Sequence, residues 1–75
     1  MKAILEFNLP EEKEEFDLAT QGSKWWDVCW EMDQWLRGQI KHPPDDISDD
    51  TYKALEECRE KLRDIISENN LYLDI

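Results

Sequence analysis

The chain has 75 residues, with nineteen acidic against nine basic side chains, a formal net charge of −10 and a pI near 4.3. That length allows a single domain, residues 1–75, with one thin core. The charge excludes direct binding to nucleic-acid phosphates, which needs a basic footprint, and opposes adsorption to anionic membranes.

Met1-Lys2-Ala3 leads straight into Ile4-Leu5-Glu6, too short and interrupted for a signal peptide, and no apolar run approaches a membrane span. A cytoplasmic protein with Cys29 and Cys58 as reduced thiols is the expectation. From Lys2 to Asn8 the chain alternates, with Ala3, Leu5 and Phe7 on one side, and this spacing predicts a short strand. Asn8-Leu9-Pro10-Glu11 reads as a helix start, with Asn8 as cap, Pro10 in the first turn and Glu11 in a capping-box position. Glu12, Glu14 and Glu15 crowd that turn, where the helix dipole favours acids. Phe16 and Ala19 give the helix a narrow apolar edge. Gly22 is the expected stop and Ser23 the expected cap of the next helix.

Ser23 to His42 holds all four tryptophans. Trp25, Cys29, Met32 and Leu36 recur at helical spacing, Ile40 continues the series, and Val28, Met32, Trp35 and Gln39 form a neighbouring line. Together they predict a broad core-facing arc. Trp26 and Trp30 fall on one flank, in line with Asp33 and Arg37, an acid and a base four apart that can pair. Tryptophan beside a paired charge is the composition of an interface hot spot. The alternative is structural: so short a chain needs every Trp to close its core, with Asp33 accepting a hydrogen bond from an indole.

Pro43-Pro44 ends that helix. Ser48 caps the third, about Asp49 to Glu68, with Asp49 and Asp50 in its first turn. Leu55, Cys58, Leu62, Ile65, Ile66 and Asn69 share its expected core face, and Arg63 falls among the charged residues opposite, within reach of Glu60. Asn69-Asn70 ends it, one of the two in the left-handed conformation. Leu71 to Ile75 alternates and predicts a closing strand. The expected fold is therefore α+β and mainly helical, β-α-α-α-β, with a two-stranded sheet from the termini on a helical hairpin. The hairpin would pack through Cys29, Met32, Leu36, Leu55, Cys58 and Leu62.

Chemistry is sparse. The single His42 beside two prolines makes neither a triad nor a metal site, there is no CxxC, and Asp45, Asp46, Asp49 and Asp50 lack the Gly and terminal Glu of a calcium loop. With Gly22 and Gly38 alone there is no phosphate loop. The expectation is a non-enzyme without metal or cofactor. Two acidic clusters remain, Glu11, Glu12, Glu14 and Glu15, and Asp45, Asp46, Asp49 and Asp50. Helix starts account for both, and carboxylates so placed can also stand in for backbone phosphates on a basic protein.

The opening LEFNLPEEKEEFDLA, the Gly22 after it, and the pattern Trp26, Trp30, Asp33, Trp35, Leu36, Arg37 resemble a family of very short, uncharacterised acidic proteins encoded by tailed bacteriophages. The resemblance spans most of the chain and assigns no chemistry to any residue. It implies a viral accessory protein in the host cell cytoplasm that binds a host protein, including defence or nucleic-acid-processing enzymes. The expected function is thus binding and inhibition or modulation of a host protein with a basic surface. Trp26, Trp30, Asp33 and Arg37 form the contact line, and the acidic clusters steer or mimic nucleic acid. The alternative is a homodimeric accessory protein whose Trp line is the self-contact.

Overall fold

The computed structural model describes residues 1–74. It contains three helices, α1 Lys13–Thr20, α2 Gly22–Lys41 and α3 Asp49–Glu68, and no strand among the described residues. The expected terminal sheet is therefore absent, and the fold is all-helical. Alternation marks a strand only where another strand supplies backbone partners, and here each terminus is anchored separately. Phe7 sets its ring edge-on against Phe16 of α1, with centroids 5.7 Å apart. Leu73 is buried, and its carbonyl accepts a 3.1 Å hydrogen bond from the Trp26 indole Nε1. Ile75, the last residue of the expected second strand, lies outside the described residues.

Local chemistry sets the helix ends. The Asn8 N–H donates to the Glu12 carboxylate at 2.9 Å and the Glu12 N–H to the Asn8 carbonyl at 2.8 Å. The acid that reaches back to Asn8 is therefore Glu12, not Glu11, and it stands at the cap position itself, with regular helix beginning only at Lys13 and no capping box formed. Gly22 does not stop a helix. Gln21 alone separates α1 from α2, and Gly22 is the first residue of α2 with no positive φ. Ser23 consequently lies inside α2 and caps nothing. α2 runs through Gly38 to Lys41 and stops at His42, before the proline pair. Ser48 caps α3: its hydroxyl accepts from the Thr51 N–H at 3.1 Å and bonds the Thr51 hydroxyl at 2.8 Å. At the other end Asn70 takes φ 57°. Its N–H bonds the Ser67 carbonyl and the Leu71 N–H bonds that of Ile66, the paired pattern of a left-handed helix stop.

α2 and α3, joined by the loop 42–48, pack as an antiparallel hairpin, and α1 adds a short extension before α2. The molecule measures 55 × 28 × 18 Å. Its long axis far exceeds the roughly 30 Å of a twenty-residue helix. Its radius of gyration is 17.6 Å, against about 11 Å for a compact chain of this length.

The seam of the hairpin keeps Cys29, Leu36, Leu55 and Leu62 of the expected one and takes Asp33 and Arg59 in place of Met32 and Cys58. α2 turns Trp26, Cys29, Asp33, Leu36 and Ile40 inward, and α3 turns Tyr52, Leu55, Arg59, Leu62 and Ile66; all ten are buried or half-buried. Both series follow the 3-4-3-4 spacing of a coiled-coil seam. Met32 and Cys58, expected at the seam, are exposed.

Candidate protein interface

Asp33 sits in the middle of the inward line of α2, and Arg59 in the middle of the inward line of α3. The Asp33 side chain has no accessible surface. A lone buried carboxylate is costly, so its partners decide whether the arrangement holds. Arg59 donates from Nε to Asp33 Oδ1 at 3.1 Å and from Nη2 to Oδ2 at 3.4 Å. Arg63 donates from Nε to Oδ1 at 3.0 Å and from Nη2 to Oδ2 at 2.9 Å. Both carboxylate oxygens therefore accept from two guanidinium forks, the strongest geometry an acid finds in a protein. Arg63 also reaches Asp74 Oδ2 at 3.2 Å, which ties the C-terminal segment to α3.

The hydrogen bonds from Arg63 hold the Asp33 carboxyl below the usual carboxylate range. Burial works against them, and Arg59 reinforces them. The Arg63 guanidinium is pushed up, first by Asp33 and then by Asp74. No buried polar side-chain atom among the described residues is left without a partner.

This cluster takes apart the contact line expected from sequence. Asp33 is wholly internal, so it cannot touch a partner, and it pairs with Arg59 and Arg63 rather than Arg37. Trp26 is half-buried, with its indole N–H committed to Leu73. Trp30 stacks on Trp26 at 6.2 Å between centroids and stays partly exposed, and Arg37 is exposed. Nor does Arg63 lie on the solvent face with Glu60 as its partner.

The open apolar surface of α2 is the adjacent line. Trp25, Val28, Met32 and Trp35 are 57%, 56%, 49% and 54% exposed. At about 100° per residue, a line one position before the seam points to the same side of both helices of an antiparallel pair. On α3 that side carries Ala54, Cys58 and Ile65, all exposed, with Lys61 between them. One broad face of the hairpin is thus apolar and uncovered. At its end the C-terminal segment and α2 form an apolar pocket of about 240 Å³, open to solvent, between Trp25, Trp26, Cys29, Ile66 and Tyr72, below the usual range for ligand pockets.

The acidic residues lie apart from this face. Glu11, Glu14 and Glu15 are exposed at the start of α1, whereas Glu12 is half-buried and engaged by Asn8. Asp45 and Asp46 on the loop and Asp49 and Asp50 in the first turn of α3 are all exposed. The length of α2 stands between the two groups. Among the described residues no three His, Cys, Asp or Glu side chains converge to hold a metal ion, and no helix is long and apolar enough to cross a membrane.

Sequence reasoning passed over Arg59 and misplaced Arg63. The available signal was the pair of matching series, each with one charge at its centre: Asp33 between Cys29 and Leu36, Arg59 between Leu55 and Leu62. The chain matches no protein-family model, no curated protein and no solved structure.

Proposed function

We propose that the chain is a non-enzymatic protein-binding module whose acidic surface engages a basic face of another protein. The resemblance to short phage proteins supports a host protein as that partner, bound and inhibited or modulated in the host cytoplasm. One observation carries the reading. The buried cluster ties up Asp33, Arg59 and Arg63 in ion pairs with one another, the two arginine side chains staying 27% and 38% exposed. Of nine basic and nineteen acidic residues, that leaves seven against eighteen. An elongated surface so weighted favours encounter with basic proteins and repels acidic ones. Because two acidic groups flank the length of α2, the partner best suited is an extended basic groove, as on a protein that holds nucleic acid.

The test is retention of host proteins on the immobilised chain, with low-salt and high-salt washes. It is repeated with Asp45→Asn, Asp46→Asn, Asp49→Asn and Asp50→Asn combined. A host protein held at low salt, released by salt, lost with the neutralised chain and displaced by duplex DNA supports both the acidic contact and the mimicry. Displacement by salt but not by DNA retains the contact and removes the mimicry. A protein held equally by both chains at high salt refutes the reading.

Self-association as a homodimeric accessory protein is the second reading. The uncovered line Trp25, Val28, Met32 and Trp35 favours it.

A further inference from the structure

The solvent-accessible surface is 6806 Å² for a 9.0 kDa chain. A folded monomer of that mass exposes about 4,850 Å² by the usual scaling. The surplus is about 1,950 Å², and Trp25, Val28, Met32 and Trp35 are among the large apolar side chains left exposed. Part of it belongs to residues 1–9, where Met1, Ile4, Leu5 and Leu9 are exposed. Even half of it exceeds the roughly 800 Å² that each partner contributes to a stable interface.

The uncovered line on α2 also has a symmetry. Trp25, Val28, Met32 and Trp35 are spaced 3-4-3, which reads the same in both directions. When two such lines run antiparallel across a two-fold axis, Trp25 lies level with Trp35 of the other copy, and Val28 with Met32. Bulky rings then meet at the two ends and the slimmer side chains in the middle. No charged residue interrupts the line, although charged residues make up 37% of the chain. A two-fold contact requires a patch complementary to itself, and this one is.

We infer that the face formed by Trp25, Val28, Met32 and Trp35 of α2, with Ala54, Cys58 and Ile65 of α3 at its margin and the exposed Lys61 keeping its ammonium in solvent there, is covered by a second copy of the chain. The two hairpins meet face to face as an antiparallel four-helix bundle. The inference rests on the self-association reading and specifies its surface, which is the side away from Trp30 and Arg37. The bundle sets a seam-type line of each α2 against its equivalent, the packing that four-helix bundles use. Both copies carry a charge of −10, so like-charge repulsion opposes the contact and salt screens that repulsion. Dimerisation therefore tightens as salt rises, opposite to the acidic contact with a basic partner, which loosens.

The experiment is the solution mass of the full chain by sedimentation across protein concentration at low and high salt, for wild type, Val28→Lys, Met32→Lys and Trp30→Gln. The expected result is a wild-type particle of twice the chain mass that tightens with salt. The two lysine variants keep their helical circular dichroism and weaken association at least about a hundredfold, since each buries an unpaired charge twice in the dimer. Trp30→Gln still dimerises. A wild-type dimer broken by Trp30→Gln but not by the lysine variants keeps self-association and overturns the assigned face. A wild type that stays monomeric at every concentration and salt level overturns both. A readout on wild type alone guards against variants that misfold. On dilution, the indole N–H groups of Trp25 and Trp35 gain solvent exchange by NMR, while that of Trp26, bonded to Leu73, does not. Equal exchange at all concentrations refutes the inference.

Discussion

Two lines of side chains run along α2, one residue apart, and they meet different fates. Trp25, Val28, Met32 and Trp35 are large and apolar, yet they face solvent. Trp26, Cys29, Asp33, Leu36 and Ile40 include a carboxylate, yet they face α3. Apolar transfer alone ranks the lines the other way, because burying an unpaired charge opposes folding far more strongly than burying one aliphatic side chain favours it. The reversal originates on α3. Its inward line carries Arg59 at the centre, with Arg63 one residue past the line, and both donate to Asp33. Only the rotation that faces Asp33 toward them satisfies all three groups. Two adjacent lines on one helix cannot both meet a single neighbour. Polar complementarity selects the line that α3 takes, and the line left over is apolar and free for association.

The sharpest way to break this contrast is Asp33→Ala. Two guanidinium groups lose their acid at the seam. The expected destabilisation is about 3 kcal/mol, the low end for breaking a buried ion pair because Arg59 and Arg63 regain some water. In a domain this small that lowers Tm by roughly 12–24 °C. Urea unfolding of the two proteins measures it. A variant within about 0.5 kcal/mol of wild type, the range of ordinary surface changes, removes Asp33 from the centre of the fold.

Acid tests the same group without deleting it. The folded-state pKa of Asp33 is depressed, so its contribution is fully present above the unfolded value of about 3.9 and is lost as pH falls through the folded one. Asp33→Asn keeps the shape and lacks this titration. The stability gap between wild type and Asp33→Asn should be constant near neutrality and shrink progressively once pH drops below about 4. A gap that stays constant down to strong acid contradicts the depressed pKa.

Trp26→Phe probes a smaller feature of the inward line. It removes the indole N–H that holds the Leu73 carbonyl at 3.1 Å and keeps much of the ring's apolar area. The expected loss is about 1 kcal/mol, one hydrogen bond's net contribution. Faster amide exchange should accompany it in residues 71–74, because that bond fastens the segment together with the buried Leu73 side chain and the Arg63–Asp74 pair. If exchange there is unchanged, the C-terminal segment is fastened by something other than Trp26.

Much of the helical framework was legible in the sequence because its signals are local. Ser48 before Asp49-Asp50, the Pro43-Pro44 pair and the Asn69-Asn70 stop each act within a turn or two, and α3 spans the residues they mark. The terminal strands were misread because alternation over five to seven residues says nothing about whether a partner strand is near. The site was misread for another reason. On α2 the lines through Trp25 and through Trp26 are both mostly apolar, so hydrophobic periodicity leaves the rotation undetermined by one residue, about 100°. On α3 the expected face takes Cys58 between Leu55 and Leu62 and passes over Arg59, because an arginine among apolar positions reads as a surface residue. The deciding interaction is long-range, between Asp33 and residues 26 and 30 positions away, and single-helix patterns do not register it.

Arg37→Gln is the smallest expected effect and separates the two accounts of Asp33 most directly. Helix spacing makes Arg37 the natural partner of Asp33, four residues on with the acid first, and such a pair contributes about 0.3–0.5 kcal/mol on an exposed helix. Here Asp33 is internal and Arg37 points to solvent. The variant should match wild type within about 0.5 kcal/mol and leave the acid titration of Asp33 where it was. Arg63→Gln should shift that titration upward, because it removes the first cause of the depressed pKa. If Arg37→Gln moves the titration and Arg63→Gln does not, then Asp33 faces Arg37 on the outside of α2, and the apolar line now placed outside belongs in the core.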